Sequence, residues 1–255
     1  MKTESLLKIT GSVLMVSITF VAVRIGAANA KEKDKPSQGV QSIALDSLDG
    51  LEIKAVSETG GEPVKFKADI STYNGRRALH MLNDDSTLAS GGRSGGDSLA
   101  IVKGIDFKDG TIELDLVGMP RQGSNSQSRG FVGVAFRIQG DVEKFENLYL
   151  RFTNGRADDQ IRRNHSTQYS SFPDFPWSRL RQESPGVYES YVDIEEKSWT
   201  RIKIVVSGTK ARLYVNNADQ PCLIVNDLKL GERPGRIALW AGSDTEAYFS
   251  NLRIR

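Results

Sequence analysis

The feature that most constrains the fold of this chain is an alternation of apolar and polar residues with a period of two. It recurs from residue 42 onwards and is clearest in residues 112–116, 148–152, 202–206 and 252–254. Alternation at this period places one set of side chains on a buried sheet face and the other set on an open face. Since the chain shows no amphipathic helix of three turns, the pattern predicts an all-β protein.

Turn residues separate the predicted strands. Asp109-Gly110 precedes one strand, Asn154-Gly155 ends another, and residues 207–210 join two strands as a tight hairpin. Roughly twelve short strands follow one another without a Pro- or Ser-rich linker. So many antiparallel strands need two packed sheets. We therefore expect residues 42–255 to form a single jelly-roll β-sandwich domain.

The first thirty residues have the pattern of a signal peptide. Lys2 and Lys8 are basic, residues 9–23 are apolar, and residues 28–30 read Ala-Asn-Ala, which suits a signal peptidase. Residues 31–41 are polar and are predicted to be a flexible mature N-terminus. The chain is thus expected to be exported to the periplasm, cell surface or medium. Arg24 is unusual in a signal peptide, so an uncleaved anchor stays open as an alternative.

The charge of the chain argues against a polyanionic partner. The formal net charge is +2, and removal of residues 1–30 leaves basic and acidic residues equal in number. Without a basic excess there is no electrostatic footprint for nucleic acid or for anionic lipid.

The C-terminal half resembles a known superfamily. Residues 199–217 have the form W-x-x-I-x-I-x-V-x-G, followed by L-Y-V-N, and residues 234–240 and 247–254 continue the pattern. This resembles concanavalin-A-like jelly rolls, in particular laminin-G-like domains and three-keto-disaccharide hydrolase-like domains of exported bacterial proteins. The resemblance implies a fold that carries lectins and hydrolases alike. Trp199 and Trp240 occupy strand positions of the pattern, and we expect both in the core.

One catalytic motif of that superfamily is incomplete here. Its glucanases carry Glu-x-Asp-x-x-Glu on one strand, whereas Glu113 and Asp115 are followed by Gly118. The acid/base carboxylate is missing, so Glu113 and Asp115 are predicted to lie on the solvent face of a strand.

Residues 149–191 are the densest polar and aromatic part of the sequence. Aromatic faces suit the C–H surface of a sugar ring, and planar donors and acceptors suit its hydroxyl groups. Several arginines also suit an acidic sugar. The predicted ligand-binding residues are Tyr149, Arg151, Arg162, Arg163, Asn164, His165, Gln168, Tyr169 and Trp177. The same charges form a salt-bridge network equally well, and both interpretations stay open.

Three functions are compatible with this stretch. The first is a binding module that recognises a glycan through residues 149–191. The second is a glycoside hydrolase, of the keto-glycoside type that the resemblance implies, acting at the same face. Its candidate acid/base residues are Asp158, Asp159, His165, Glu189 and Glu146. The third is a protein-interaction domain.

No cofactor is required by any of these functions, and calcium is the metal that such a sandwich most readily accepts. Carboxylate oxygens are its preferred ligands, and Asp84 with Asp85 is the predicted pair, followed by Asp158 with Asp159. Zinc is not expected, because the chain has two histidines and a single cysteine, Cys222. Cys222 lies in an apolar run and is predicted to be a buried, unreactive thiol.

The signal-peptide prediction has a direct test. The intact mass of the exported protein should correspond to a chain that begins at Lys31. Ala30→Phe should block cleavage, because the peptidase needs a small residue at that position. A full-length protein that stays in the membrane fraction would instead support the uncleaved anchor.

Overall fold

A computed structural model describes residues 39–57, 66–83, 96–124 and 126–255, which belong to one compact unit. The predicted signal peptide, most of the predicted flexible N-terminus, and Asp84 with Asp85 lie outside the described residues. Within the described part of the chain, no helix is long and apolar enough to cross a membrane.

The described residues contain fifteen strands and two short α-helices. The strands are β1 (Gln41–Ile43), β2 (Leu51–Ser57), β3 (Phe66–Tyr73), β4 (Arg76–Asn83), β5 (Gly96–Val102), β6 (Gly110–Pro120), β7 (Phe131–Gln139), β8 (Lys144–Arg151), β9 (Thr167–Phe172), β10 (Glu189–Ser190), β11 (Thr200–Ser207), β12 (Lys210–Val215), β13 (Leu223–Val225), β14 (Arg236–Ala241) and β15 (Thr245–Ile254). The helices are α1 (Gln160–Asn164) and α2 (Trp177–Glu183), and a 3-10 turn spans Phe152–Asn154.

The strands form two antiparallel sheets. One sheet has eight strands in the order β13-β12-β11-β6-β15-β4-β3, with β1 added on β15. The other has seven strands in the order β10-β9-β8-β7-β14-β5-β2. Several neighbours in the centre of these orders, such as β6 with β15 and β7 with β14, are far apart in sequence, as in a jelly roll. The predicted all-β jelly-roll sandwich is confirmed.

The main core lies between the sheets, where the alternation of each strand places its apolar set. Leu114 of β6, Leu148 of β8 and Ile204 of β11 are all fully enclosed there. On the outer face of β6, Glu113 and Asp115 form ion pairs with Arg201 at 2.6 and 3.6 Å. Both lie on the outer face of the sheet as predicted, but Asp115 is buried there beneath Arg76, Arg201 and Asn251 rather than open to solvent.

Two predictions about the core need correction. Trp199 does not lie in the inter-sheet core: it is half-buried on the outer face of the eight-stranded sheet, beside Tyr73 and under Arg76. Cys222 is a half-buried free thiol rather than a fully buried one. Burial nevertheless raises the pKa of the Cys222 thiol to about 12, which keeps it protonated and unreactive.

The stretch 149–191 is more ordered than a loop. It contains the end of β8, the helices α1 and α2, and the strands β9 and β10, which extend the seven-stranded sheet at one edge. Both helices are shorter than three turns, so the sequence carried no helical periodicity that would have revealed them.

Gly133 provides a test of this packing, because it lies on β7 directly opposite Tyr149 of β8. A methyl group at Gly133 would meet the carbonyl oxygen of Leu148 and lie 2.5 Å from the Tyr149 Cα, so the two strands would have to separate. We expect Gly133→Ala to lower the free energy of unfolding, measured in urea, by about 1–3 kcal/mol.

The control is Gly50→Ala, since no heavy atom lies within 4 Å of a methyl group placed there. It should change the free energy of unfolding by less than about 0.5 kcal/mol. Equal losses in the two variants would contradict the close packing of β7 on β8.

Candidate functional site

A cavity of about 630 Å³ lies on the face of the seven-stranded sheet that is turned away from the main core. Strands β5, β7, β8, β9 and β14 form its floor, and α1, α2 and the segment before β7 form its walls. Its lining includes Asp97, Gln127, Arg129, Phe131, Phe145, Asn147, Tyr149, Arg151, Asn154, Arg162, His165, Ser170, Phe172, Trp177, Arg181 and Trp240.

The floor is built by cross-strand register. Trp240 of β14 pairs with Gly133 of β7, and Gly133 pairs with Tyr149 of β8. Because Gly133 has no side chain, the rings on either side meet above it, with centroids 4.8 Å apart. The Trp240 indole Nε1 donates to Asp97 Oδ2 at 2.9 Å, which holds the indole in place. The floor is therefore apolar, with one fixed carboxylate on its β5 side.

A second aromatic pair borders this floor. Phe145 of β8 and Phe172 of β9 are paired across the strands, and their rings stack with centroids 4.9 Å apart. Phe131 of β7 contacts Tyr149 edge to face at 6.3 Å. These rings widen the apolar surface on which a ligand can lie.

The polar end of the cavity is organised by the Glu189 carboxylate. Arg181 donates two hydrogen bonds to it, at 2.8 and 2.6 Å, and Arg151 lies 3.5 Å from the same group. The Glu189 side chain is only 2% exposed. A buried carboxylate that accepts charge-assisted hydrogen bonds from two guanidinium groups positions both arginines at this end of the cavity.

His165 lies beside this cluster, with its Nε2 atom 3.4 Å from Glu189 Oε1. Burial lowers the pKa of the His165 imidazole, and the charges of Arg181 and Arg151 lower it further, against the opposite effect of Glu189. The ring is therefore neutral at neutral pH and offers one donor and one acceptor.

Trp177 of α2 is partly covered by the same arginines. The Arg181 guanidinium carbon lies 4.7 Å from its ring centroid, and that of Arg151 lies 5.7 Å away. These cation–π contacts hold the indole at the edge of the cavity, and the guanidinium groups cover part of the indole ring.

Asn147 is a polar residue of the floor that lies among the aromatic groups. It lies on β8 between Ala135 of β7 and Ser170 of β9, and it is 2% exposed. Its Oδ1 atom is buried and has no hydrogen-bond partner among the described residues. A buried acceptor without a donor costs about 1–3 kcal/mol, and such groups are rare in native proteins. This atom therefore points to a donor that a ligand would bring.

The cavity contains five of the predicted ligand-binding residues: Tyr149, Arg151, Arg162, His165 and Trp177. The structure places the other four elsewhere. Arg163 donates to the Tyr191 hydroxyl on the outside of α1, and Asn164 is exposed and bonded to Gln160. Gln168 is buried under Arg151, whose Nη2 donates to it at 2.9 Å.

Tyr169 needs a separate correction, because it lies on the core side of β9. Its hydroxyl donates to Glu146 Oε2 at 2.7 Å, and both residues are fully buried. Burial raises the pKa of Glu146, which also accepts from the Leu230 amide. Neither residue lines the cavity, so Tyr169 offers no stacking face and Glu146 is not a candidate catalyst there.

The other proposed carboxylates also lie outside the lining. Asp158 is exposed, and Asp159 caps α1 by accepting from the Arg162 amide at 3.0 Å. Conversely, the sequence did not suggest Asp97, Arg129, Asn147 or Arg181, which do line the cavity. Trp240 is buried as expected, but on this face rather than in the main core.

No group of three or more His, Cys, Asp or Glu residues that would suit a metal ion occurs in the described ranges. Asp158 and Asp159 belong to those ranges, whereas the Asp84 and Asp85 pair falls outside them.

Comparison with known proteins identifies no family for this chain. No protein-family model and no curated protein matches the sequence. Among solved structures, the chain is similar to the carbohydrate-binding module CBM66 from Bacillus subtilis, with 14% identity, 75% of this chain and 96% of that chain covered, and a TM-score of 0.48. The chain is also similar to the Bacillus licheniformis β-glucanase, with 13% identity, 86% of this chain and 98% of that chain covered, and a TM-score of 0.46.

A third similar structure is the VIP36 exoplasmic/lumenal domain in a Ca²⁺/Man3GlcNAc-bound form, at 8% identity, with 74% of this chain and 84% of that chain covered and a TM-score of 0.44. The described strands themselves form a jelly-roll β-sandwich of two antiparallel sheets. At such identities and TM-scores the likeness assigns no superfamily, ligand or activity to this chain.

The central position of Glu189 gives a stability prediction. Glu189→Ala would leave Arg151, whose side chain is 6% exposed, buried without its carboxylate. We expect the free energy of unfolding to fall by about 3–5 kcal/mol. Glu183→Ala is the matched control, because its bridge to Arg179 is largely exposed and should contribute less than about 1 kcal/mol. Losses of similar size in urea denaturation would refute the central role of Glu189.

Proposed function

We propose that the protein is a carbohydrate-binding domain that holds a glycan in this cavity. The observation that carries the proposal is the unpartnered Asn147 Oδ1 in an aromatic floor. A sugar hydroxyl donates one hydrogen bond and accepts others, so one group can satisfy Asn147 and also accept from a guanidinium. The C–H face of the ring would lie on Tyr149 and Trp240.

The size and composition of the cavity support a small polar ligand. Its volume of about 630 Å³ is within the usual range for sites that enclose small molecules. A protein-interaction surface is the weaker alternative, since the polar groups converge inside a hollow rather than around an apolar patch.

Hydrolysis of the glycan is less well supported than binding. Glycosidases use two carboxyl groups on opposite sides of the scissile bond. In the part of the chain that the structure describes, Asp97 is the single carboxylate in the lining, and it accepts from Trp240. Glu189 accepts hydrogen bonds from Arg151 and Arg181 and does not line the cavity, so it is not placed to act on a bound glycan.

The proposal extends to the setting of the domain. The basic start, apolar run and Ala-Asn-Ala end of residues 1–30 support export, and the mature chain would then carry the segment 31–41 ahead of the jelly-roll domain. Calcium binding is proposed only for Asp84 with Asp85, and thermal melts with calcium and with a chelator would test it.

Binding can be tested first on an array of neutral and acidic glycans, followed by calorimetry with the best-bound compound. Asn147→Leu keeps the size of the side chain and removes the amide. We expect it to weaken binding about 10-fold or more, while the free energy of unfolding stays the same or rises, because a buried unpaired acceptor is lost.

Asn164→Leu is the matched control, since Asn164 lies on α1 outside the cavity. It should leave binding unchanged. Absence of binding to every glycan, or undiminished binding by Asn147→Leu, would reject the proposal. Release of shortened glycan during incubation would favour the hydrolase instead.

A further inference from the structure

The charges of the cavity are separated to opposite ends. Asp97 lies on β5, whereas Arg151 lies on β8, with β14 and β7 between them. Neighbouring strands are about 4.8 Å apart, so three strand steps separate the two groups by roughly 14 Å. The carboxylate therefore does not neutralise the arginine end.

The arginine end carries more positive charge than its partners balance. Four arginines line it, and Glu189 is the single carboxylate that pairs with any of them in the described residues. Glu189 serves Arg151 and Arg181. Arg129 and Arg162 are left without an acidic partner in the same part of the structure.

Arg162 is held in place by neutral groups. Its Nη2 atom donates to the Thr153 carbonyl and hydroxyl oxygens at 3.3 and 3.2 Å, and its Nε donates to Asn154 Oδ1 at 3.4 Å. Its Nη1 atom makes no hydrogen bond to a described residue. The guanidinium is thus oriented before a ligand arrives, and one of its nitrogens remains available.

Arg129 lies in the segment before β7 and is likewise held in place by neutral groups. Its Nη1 donates to the carbonyl oxygens of Ser126 and Ser128 at 2.5 and 2.9 Å. Burial lowers the pKa of the Arg129 guanidinium, and the charges of Arg162 and Arg151 lower it further. Since like charges are held close together in a partly desolvated place, an anion bound among them would stabilise the arrangement.

We propose that the glycan bound in this cavity carries an anionic group, a uronate carboxylate or a sulfate ester, which is recognised by Arg129 and Arg162. This inference rests on the proposed function and specifies its ligand class. The neutral sugar ring lies on the aromatic floor, and its charged substituent lies at the arginine end. Guanidinium groups bind carboxylate and sulfate oxygens through charge-assisted hydrogen bonds.

The test compares three sets of oligosaccharides by calorimetry: oligogalacturonates, the same compounds as methyl esters, and sulfated galactose oligosaccharides. The methyl ester keeps the sugar and removes only the charge. We expect an anionic set to bind at least 10-fold more tightly than the neutral one, and to weaken as salt rises.

Variants locate the effect. Arg162→Gln should remove most of the preference for the anionic set, measured as the ratio of the dissociation constants of the charged compounds and their methyl esters. Arg163→Gln is the matched control, because it lies next along α1 and removes the same charge outside the cavity. It should retain the preference. Thermal melts of both variants show whether either substitution disturbs the fold.

The outcomes are separable. Preference for the galacturonates identifies a carboxylate and preference for the sulfated set identifies a sulfate, and either supports the inference. Equal binding of charged and neutral sets, or equal loss of preference in the two variants, overturns it and leaves glycan binding intact. If no neutral or charged glycan binds, here or on the array, the proposed function fails and the inference fails with it.

Discussion

The cross-strand register of the seven-stranded sheet is the constraint on which the cavity depends. Side chains alternate along each strand, so a slip of one residue would exchange the cavity floor for the core face. The observed register brings Trp240 and Tyr149 to either side of Gly133. A single glycine without a side chain thereby allows two large rings to meet, and this contact sets the width of the floor.

Two buried charges then stabilise the molecule in different ways. Arg137 is fully enclosed, and it donates to the carbonyl oxygens of Lys108, Gly208 and Gly231, which ties three turns together. Glu189 instead receives guanidinium groups that also face the cavity. The Arg137 guanidinium has a purely structural role. The second orients cations that remain accessible, which is why it bears on function.

The sequence predicted the sheets better than the cavity. Strong alternation in residues 112–116 and 202–206 marked strands that the structure contains as β6 and β11. By contrast, Tyr149 and Tyr169 are both strand tyrosines of the stretch 149–191, yet one lines the cavity and the other lies in the core. The reason is that Tyr149 pairs with Gln168, and cross-strand partners point to the same face of a sheet. Tyr169, which follows Gln168 in the chain, therefore points to the opposite face. Which residues of two neighbouring strands share a face depends on how the strands pair, and the alternation within one strand does not reveal this.

By itself, the amino-acid sequence determined the strand periodicity, the turns, the sandwich architecture and the region rich in arginine and aromatic residues, because these follow from local side-chain chemistry. Only the tertiary structure decided which of those residues share a surface. Residues as distant in the chain as Asp97, Asn147 and Trp240 became neighbours of the arginines through strand pairing. Pairing partners are selected by burial over the whole sheet, and the unpartnered Asn147 acceptor becomes visible only once that burial is complete.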